Sequence, residues 1–345
     1  MTSYRVVQWA TGNIGTRSLR TVIEHPQLDL VGVYVHSADK AGRDAGELCG
    51  LDPVGVAATN DVDEILALGA DCVLYMPRAL DADEVCRLLA SGTNVVTTRG
   101  EFHHPGSMDP ELRGQVETAC AAGGTSIHST GSSPGFISEA LPLVLTSIQR
   151  RLDGLVINEY ADLSERNSPG LLFEVMGFGR KPEAFSPARL SHGRDSFGPS
   201  LRLLAEALSL PLDAIEASGE VACAARTVEI AAGTLEAGTV AAQQIIVAGM
   251  REGRPLLQFR ATWYCTSELD PAWDTRPTGW RVVVDGDAPL DVALPFPVPM
   301  EQMAATSPGY TAHRAVNAVP VVCEAAPGIR TTVDLPQVVA MLGKG

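Results

Sequence analysis

A glycine turn close to the start of the sequence combines residue types and spacing that suit a bound nucleotide. Residues 4–9 are β-branched and aromatic, predict a strand, and lead into Ala10-Thr11-Gly12-Asn13-Ile14-Gly15. A helix over 16–25 and a strand over 28–35 give the β-turn-α-β setting in which a G/A-x-G-x-x-G pattern carries meaning. The middle glycine would let the backbone approach a pyrophosphate, and the last would let the helix pack closely on the strand. We predict a dinucleotide site; the alternative is an ordinary tight turn.

The end of the second predicted strand bears on which cofactor would bind. A free ribose 2′-OH is usually held by Asp or Glu about 20 residues beyond the glycines. This sequence has His36 and Ser37 at that place, with Lys40 and Arg43 shortly after. Because a 2′-phosphate attracts cations and is repelled by a carboxylate, NADP(H) is favoured over NAD(H), and dual use stays open. The alternative is that Lys40 and Arg43 are solvated loop charges.

A glutamate follows a later predicted strand, over 93–98, at a place where chemistry is expected. Ligands of open parallel sheets bind beyond the carboxyl ends of the strands, so Glu101 would lie in the crevice that a nicotinamide ring occupies. A carboxylate there could hold an ammonium group or accept a proton as a general base. The alternative is a surface glutamate paired with Arg99. We expect the adjacent His103 and His104 to supply loop polarity or support, with no metal site.

The elements that would position these residues follow from the alternation of strand and helix signals. Asp81 and Asp109 are predicted N-caps of helices. Repeated strand–helix units imply an α/β fold with a Rossmann-type, doubly wound parallel sheet, in which Pro77 directly follows one predicted strand and Thr98 is the last residue of another. The predicted helices are 61–68, 81–92 and 109–123, and the predicted strands are 71–76, 93–98 and 126–129.

The second half of the sequence changes to consecutive strands. We predict a helix around 200–208, and a helix beginning after the serines of 131–136 with Pro134 in its first turn. Strands without intervening helices imply a second, α+β domain with a mainly antiparallel sheet, one face of which often packs on a twin subunit. The predicted strands are 155–160, 226–231, 239–247, 256–264 and 280–284.

We therefore expect three segments. Residues 1–131 form a dinucleotide-binding domain, and 132–312 form a substrate and dimerisation domain. Residues 313–345 begin with a short helix over 313–320 and return to the dinucleotide-binding domain. A homodimer is the expected assembly.

Composition excludes several other classes of protein. The sequence has 41 acidic and 26 basic residues, and its formal charge of −15 disfavours nucleic-acid binding. The seven cysteines are scattered without a C-x-x-C pair, which predicts reduced thiols and neither a disulfide framework nor a zinc site. There is neither an apolar run of about 18–20 residues nor room for a signal peptide, so we expect a soluble cytoplasmic protein.

These residues together resemble a known family. The chain resembles native amine dehydrogenases and 2,4-diaminopentanoate dehydrogenases over nearly its full length, and its N-terminal domain is similar to that of dihydrodipicolinate reductases. The equivalent of the reductases' Lys-x-Asp-Ala-Pro-Ser-Gly-Thr loop is missing from 157–170, so reductase activity is not expected. The stretches that carry the resemblance are 7–15, 32–37, 40–50, 97–101, 134–136 and 315–318.

The resemblance implies a reaction and a role for Glu101. The reaction is NAD(P)H-dependent reductive amination of a ketone or aldehyde with ammonia, and the reverse oxidative deamination. Glu101 is the counterpart of the family's catalytic carboxylate and would hold the iminium to which hydride passes. The cofactor-binding residues expected from the motifs and the resemblance are Thr11, Gly12, Asn13, Ile14, His36, Ser37, Lys40, Arg43, Pro77, Thr98 and Asn317.

The substrate pocket is less well defined by the sequence. Ser133, Ser138, Arg166 and His192 are its candidate residues. Arg166 would either hold a substrate carboxylate or be a surface charge. The alternatives to an amine dehydrogenase are an imine or carbonyl reductase that uses no ammonia and a non-catalytic NADP-binding protein.

Overall fold

A computed structural model describes residues 3–342 and divides the chain into two units. The first unit contains the chain up to Phe136 and again from Ser307 onward. The second unit is Ile137–Thr306. The outermost residues of the predicted first and last segments, 1–2 and 343–345, lie outside the described residues.

The first unit is built on a seven-stranded sheet in which every neighbouring pair of strands is parallel. Six strands come from the N-terminal part, and the seventh, Gly328–Arg330, is named the C-terminal strand. The N-terminal strands are β1 (Tyr4–Trp9), β2 (Leu28–Tyr34), β3 (Ala58–Thr59), β4 (Cys72–Tyr75), β5 (Asn94–Thr97) and β6 (Ser126–Ser129). The helices between them are α1 (Asn13–Glu24), α2 (Ala45–Leu48), α3 (Val62–Ala67), α4 (Ala82–Ala90) and α5 (Pro110–Gly123).

The order of these strands confirms the predicted doubly wound fold. It runs from the C-terminal strand through β6, β5, β4, β1 and β2 to β3. The chain therefore leaves β1 toward one edge of the sheet and later returns to its other side at β4. In such sheets the crevice at the carboxyl ends of the strands on either side of this reversal is where ligands bind.

Alternation along the strands explains why both faces of this sheet are covered. In β1, Val7 and Val6 point to opposite faces, and each joins a separate apolar core. On the first face Val7 packs with Leu88 of α4 and Val116 of α5. On the second face Val6 packs with Val319 of a long helix, α8 (Met300–Cys323), whose residues from Ser307 on belong to this unit.

The local capping signals in the first unit are confirmed. The carboxylate of Asp81 accepts from the backbone N–H of Glu84, and that of Asp109 accepts from those of Glu111 and Leu112. Both helices begin at the following residue, because each carboxylate satisfies N–H groups of the first turn.

The prediction for 131–136 is wrong. Ser133, Pro134 and Gly135 have non-helical backbone angles, so Pro134 does not lie in the first turn of a helix. Gly135 has a φ of +120°, a conformation that a residue with a Cβ rarely adopts, and it interrupts the helical path. The regular helix α6 begins only at Leu141 (Leu141–Thr146).

The second unit has a seven-stranded sheet that confirms the predicted mainly antiparallel character. The strands of this unit are β7 (Leu152–Asp162), β8 (Ala214–Ala224), β9 (Val228–Ile230), β10 (Gly233–Leu235), β11 (Val240–Arg251), β12 (Arg254–Tyr264), β13 (Leu269–Asp270), β14 (Gly279–Gly286) and β15 (Leu290–Pro295). The strand order of the sheet is β13-β8-β11-β12-β7-β14-β15, and only β12 and β7 run parallel. A separate hairpin joins β9 to β10.

Four elements named here differ from the sequence-based prediction. Strand β8 is missing from the prediction, and the segment predicted as a main strand over 226–231 forms only the hairpin. The helix predicted around 200–208 is the end of α7, which spans Pro187–Ala207. The short helix predicted over 313–320 is part of the 24-residue α8.

Helix α7 covers one face of the second sheet. The ring of Phe197 on α7 stacks on Phe259 of β12 with centroids 3.8 Å apart. The other face carries Gln244, Arg260 and Val283, which are all partly exposed.

Among the helices within residues 3–342, none combines the length and apolar character needed to cross a bilayer.

Candidate active site

The turn between β1 and α1 leaves room at one glycine and none at the other. A Cβ on Gly15 would lie 2.1 Å from the carbonyl oxygen of Ala10, so the helix and turn approach each other through this glycine. At Gly12 no neighbouring atom would lie within 4 Å of a Cβ. Gly12 is the N-cap of α1, and the free backbone N–H groups of the first turn follow it. The turn therefore offers an open approach to a helix N-terminus, which suits an anion.

The side chain of Lys40, from the loop after β2, contacts this turn. Its Nζ donates to the carbonyl oxygen of Thr11 at 3.0 Å and to the Thr11 hydroxyl at 3.1 Å. The sequence-based alternative of a solvated loop charge therefore does not describe Lys40. Arg43 is exposed. Asn13 and Ile14 form the first residues of α1, and Arg17 donates to the Asn13 side chain at 2.6 Å.

The loop after β2 is exposed but ordered by its own polar contacts. His36 and Ser37 are both exposed, and the His36 ring lies edge-on to Tyr34 with centroids 5.1 Å apart. The Ser37 hydroxyl holds the pKa of the Asp39 carboxyl below its ordinary value. Asp39 is thus ionised at neutral pH, beside Lys40 and Arg43.

A second carboxylate holds the far end of this loop. Asp44 accepts hydrogen bonds from the backbone N–H groups of Gly46, Val54 and Gly55, at 2.8 to 2.9 Å. These bonds hold the pKa of Asp44 below its ordinary value. Because Arg43 precedes this anchored residue directly, its backbone position is fixed although its side chain is exposed.

The strands β4 and β5 end next to each other. Pro77 is buried and Thr98 is half-buried, each just past its strand. The Thr97 hydroxyl donates to the carbonyl oxygen of Tyr75 at 2.6 Å and accepts from the backbone N–H of Arg99 at 3.1 Å. The chain that leads to Glu101 is therefore tied to the neighbouring strand.

Glu101 lies in a short 3₁₀ turn, Gly100–Phe102, directly after this segment. The Nη2 atom of Arg99 donates to Oε1 of Glu101 at 2.5 Å, so the ion pair named as the alternative does form. It is not a solvated surface pair, because the side chains are only 27% and 32% exposed. The other carboxylate oxygen, Oε2, is buried and has no hydrogen-bonding partner within residues 3–342.

Several buried polar atoms without a partner belong to the segments that follow β5 and β6. Within the part of the chain that the structure describes, they include Oε2 of Glu101, Nε of Arg99 and the hydroxyls of Thr130 and Ser133. Hydrogen bonds from Thr130 N to Thr97 O, at 2.9 Å, and from the Ser129 hydroxyl to Arg99 O hold the ends of β5 and β6 together. An unsatisfied buried polar group costs about 1–3 kcal/mol, so this edge of the sheet suits a polar ligand.

Of these residues, Thr130 was missed by the sequence analysis. It is the first residue after β6, and the rule that ligands bind beyond the carboxyl ends of strands would have included it. Asn317 lies on α8 between the buried Val316 and Ala318 and is half-buried. His104 is buried, and its Nδ1 shares a hydrogen bond of 2.7 Å with the Ser107 hydroxyl.

The candidate pocket residues have different surroundings. Ser133, in the first unit, has the buried hydroxyl already described. In the second unit Ser138 is fully buried and its hydroxyl donates to Ser200 at 3.2 Å, whereas His192 is exposed on α7. Arg166 is half-buried, and its Nε is buried without a partner in the described chain.

Over residues 3–342 no group of three or more His, Cys, Asp or Glu side chains is placed to hold a metal ion.

Comparisons with known proteins agree with both units. The profile of the 2,4-diaminopentanoate dehydrogenase C-terminal domain matches residues 136–345, and that of the dihydrodipicolinate reductase N-terminus matches 6–98. An amine dehydrogenase of Streptomyces virginiae is 31% identical, over 96% of this chain and 95% of its own length. A 2,4-diaminopentanoate dehydrogenase of Acetoanaerobium sticklandii is 24% identical, over 85% of this chain and 80% of its own length.

A solved structure has the same fold. The amine dehydrogenase from Mycobacterium smegmatis superposes with a TM-score of 0.75 at 21% identity, covering 99% of this chain and 98% of that one. The fold and these matches define an oxidoreductase of the dehydrogenase class, which uses a nicotinamide cofactor. More specifically, the chain belongs to the 2,4-diaminopentanoate and amine dehydrogenase family, which confirms the resemblance stated from the sequence.

Proposed function

We propose that this protein is an NAD(P)H-dependent amine dehydrogenase. It aminates a ketone or aldehyde with ammonia and, in reverse, deaminates the amine oxidatively. The observation that carries the proposal is the half-buried carboxylate of Glu101, which presents an unpartnered oxygen beyond the end of β5. The relatives that are amine and diaminopentanoate dehydrogenases support the class of substrate.

The residues of the first unit fit a dinucleotide. The open space at Gly12 and the N-terminus of α1 suit a pyrophosphate, and the four partnerless atoms of the segments after β5 and β6 suit a polar ring substituent and a substrate nitrogen. Residues Thr11, Asn13, Ile14, Pro77, Thr98 and Asn317 would complete the cofactor contacts. When bound, the nicotinamide supplies or takes up the hydride.

Glu101 would act on the substrate nitrogen. In the oxidative direction its Oε2 accepts a proton from the ammonium group and releases it to solvent, so the carboxylate is ionised again when the C–H bond gives up its hydride and the iminium forms. Water then adds to the iminium carbon, its two protons pass to the nitrogen, and the nitrogen leaves as ammonium while the carbonyl group forms. A carboxylate in a site from which water is excluded stabilises such a cation more strongly than it would in bulk water.

A screen of oxidative deamination tests this proposal. Short aliphatic amines and amino acids are supplied with NADP⁺ or NAD⁺, and ketones and aldehydes are supplied with the reduced cofactors. We expect amine-dependent reduction of the cofactor, and carbonyl-dependent oxidation that requires ammonia. Carbonyl reduction at the same rate without ammonia would instead identify a carbonyl reductase, and cofactor binding without turnover of any compound would favour a non-catalytic protein.

The loop after β2 supports a preference for NADP(H), with NAD(H) used less well. Asp39, Lys40 and Arg43 give the loop one excess positive charge, and Lys40 is held on the glycine turn. His36 and Ser37 are exposed at the place where a carboxylate would bind a free 2′-OH.

We expect the double variant Lys40→Gln, Arg43→Gln to weaken NADPH binding at least about tenfold and NADH binding less than about twofold, because only NADPH carries the 2′-phosphate. Fluorescence titration of both reduced cofactors measures this. Arg20→Gln, which removes an exposed cation of the same unit, is the control. Equal losses for NADPH and NADH would refute the role of the two cations.

The second unit would bind the substrate and a twin subunit. Arg166, with its buried Nε free of partners in the described chain, suits the carboxylate of an amino-acid substrate. Ser138 and His192 of this unit stay pocket candidates, as does Ser133 of the first unit. One face of the sheet carries the partly exposed Gln244, Arg260 and Val283. This face suits a second copy of the sheet, which would give a homodimer that light scattering would detect. Free thiols at all seven cysteines support a cytoplasmic location.

A further inference from the structure

The residue that contacts Glu101 is itself held by three neighbouring segments. The guanidinium of Arg99 donates through Nη1 to the carbonyl oxygen of Arg78 at 2.7 Å, just past β4. Its backbone N–H donates to the hydroxyl of Thr97 in β5, and its carbonyl oxygen accepts from the hydroxyl of Ser129 in β6. Arg99 is thus fixed to the carboxyl ends of three adjacent strands before it reaches the carboxylate.

The contact between Arg99 and Glu101 uses only one oxygen of the carboxylate. Nη2 binds Oε1 at 2.5 Å, whereas Oε2 has no partner within residues 3–342. An arginine that served only to neutralise a carboxylate would be expected to use both N–H groups of its fork on both oxygens. Here Nη1 is committed to Arg78, Nε bonds neither oxygen, and one carboxylate oxygen is left for another donor.

We propose that Arg99 is a positioning residue for the reaction: it anchors Oε1 of Glu101 and orients Oε2 toward the substrate nitrogen. This inference rests on the proposed function. The ion pair and the chemistry are therefore not competing interpretations of Glu101, because the pair prepares the carboxylate.

The test uses Arg99→Met and Arg99→Lys. Arg99→Met removes the anchor and the charge, and we expect kcat/KM for the amine to fall about 100-fold, the size of effect that small misplacements of reacting groups cause. NADPH affinity stays within about twofold, because the pair lies apart from the glycine turn that binds the phosphates. Arg99→Lys keeps a cation that can bind one oxygen, and we expect its kcat/KM to be at least about tenfold higher than that of Arg99→Met.

A matched control exists in the same unit. Arg87 also contacts a carboxylate oxygen through Nη2 at 2.5 Å, that of Asp63, but this pair is exposed. Arg87→Met is expected to leave kcat/KM within about twofold, since exposed ion pairs contribute about 0–1 kcal/mol. Thermal unfolding of each variant shows whether a loss of activity follows a loss of folded protein.

Combination with Glu101→Gln separates a positioning role from a structural one. If Arg99 acts through Glu101, adding Arg99→Met to Glu101→Gln lowers the residual rate by less than about twofold. Equal losses in both backgrounds, loss of folded protein in both Arg99 variants, or an Arg99→Met enzyme within about twofold of wild type would overturn the inference. Full activity of Glu101→Gln would instead overturn the proposed function itself, so the two failures are distinguishable.

Discussion

Glu101→Gln is expected to lower the rate of amine turnover at least about a thousandfold while leaving NADPH affinity within about twofold. Glutamine has nearly the same shape but neither accepts the substrate proton nor balances the charge of the iminium. Its amide also directs either an oxygen or an NH₂ group at the Arg99 guanidinium, which lies 2.5 Å from Oε1 in the native pair. Initial rates of oxidative deamination and a fluorescence titration with NADPH measure the two effects separately.

The control for this substitution is Glu117→Gln. Glu117 is an exposed carboxylate of α5, and its Oε1 lies 3.9 Å from Nε of Arg113. The same chemical change there should alter turnover by less than about twofold. An enzyme with Gln at 101 that retains a rate within a few-fold of wild type would show that this carboxylate takes no part in the chemistry.

The two glycines of the turn should respond to the same substitution in opposite ways. Gly15→Ala places a Cβ 2.1 Å from the carbonyl oxygen and 2.9 Å from the carbonyl carbon of Ala10. Both are backbone atoms, so the turn or α1 must move, and we expect Tm to fall by at least about 5 °C. Cofactor binding is lost with the geometry of the turn. Thermal unfolding without cofactor measures the first effect.

Gly12→Ala tests whether a ligand approaches the turn. No neighbouring atom of the protein lies within 4 Å of the added methyl group, so the change in stability is limited to an N-cap cost below about 1 kcal/mol. We expect NADPH affinity to fall at least about tenfold, because the methyl group stands where the pyrophosphate approaches the backbone. Unchanged affinity in a folded Gly12→Ala protein would place the dinucleotide elsewhere.

The sequence by itself determined the features that depend on residues close together in the chain. The β-turn-α-β unit and the caps at Asp81 and Asp109 are of this kind, because a cap is decided by hydrogen bonds within three residues. The parallel sheet follows from the repeated alternation of such units. The position of Glu101 just past a strand was also predicted, since it depends only on where β5 ends.

Tertiary packing determined the secondary structure where the local sequence signals were misleading. Helix α7 contains Gly193, Gly198 and Pro199, which in the sequence resemble helix breakers. The small size of the two glycines lets the helix approach the neighbouring sheet: a Cβ on Gly193 would lie 2.9 Å from Ile245, and one on Gly198 would lie 3.2 Å from Ile215. The helix survives because packing against the sheet outweighs its low propensity.

The polar contacts that define the site were also beyond the sequence. Lys40 binds Thr11 from 29 residues away, and Arg99 reaches the carbonyl oxygen of Arg78 across 21 residues. The local sequence pattern indicated these side chains but not their partners, because the partners are brought together only when β1, β2, β4 and β5 align in one sheet. The sequence thus determined which groups stand at the strand ends, and the fold decided which atoms remain free to bind.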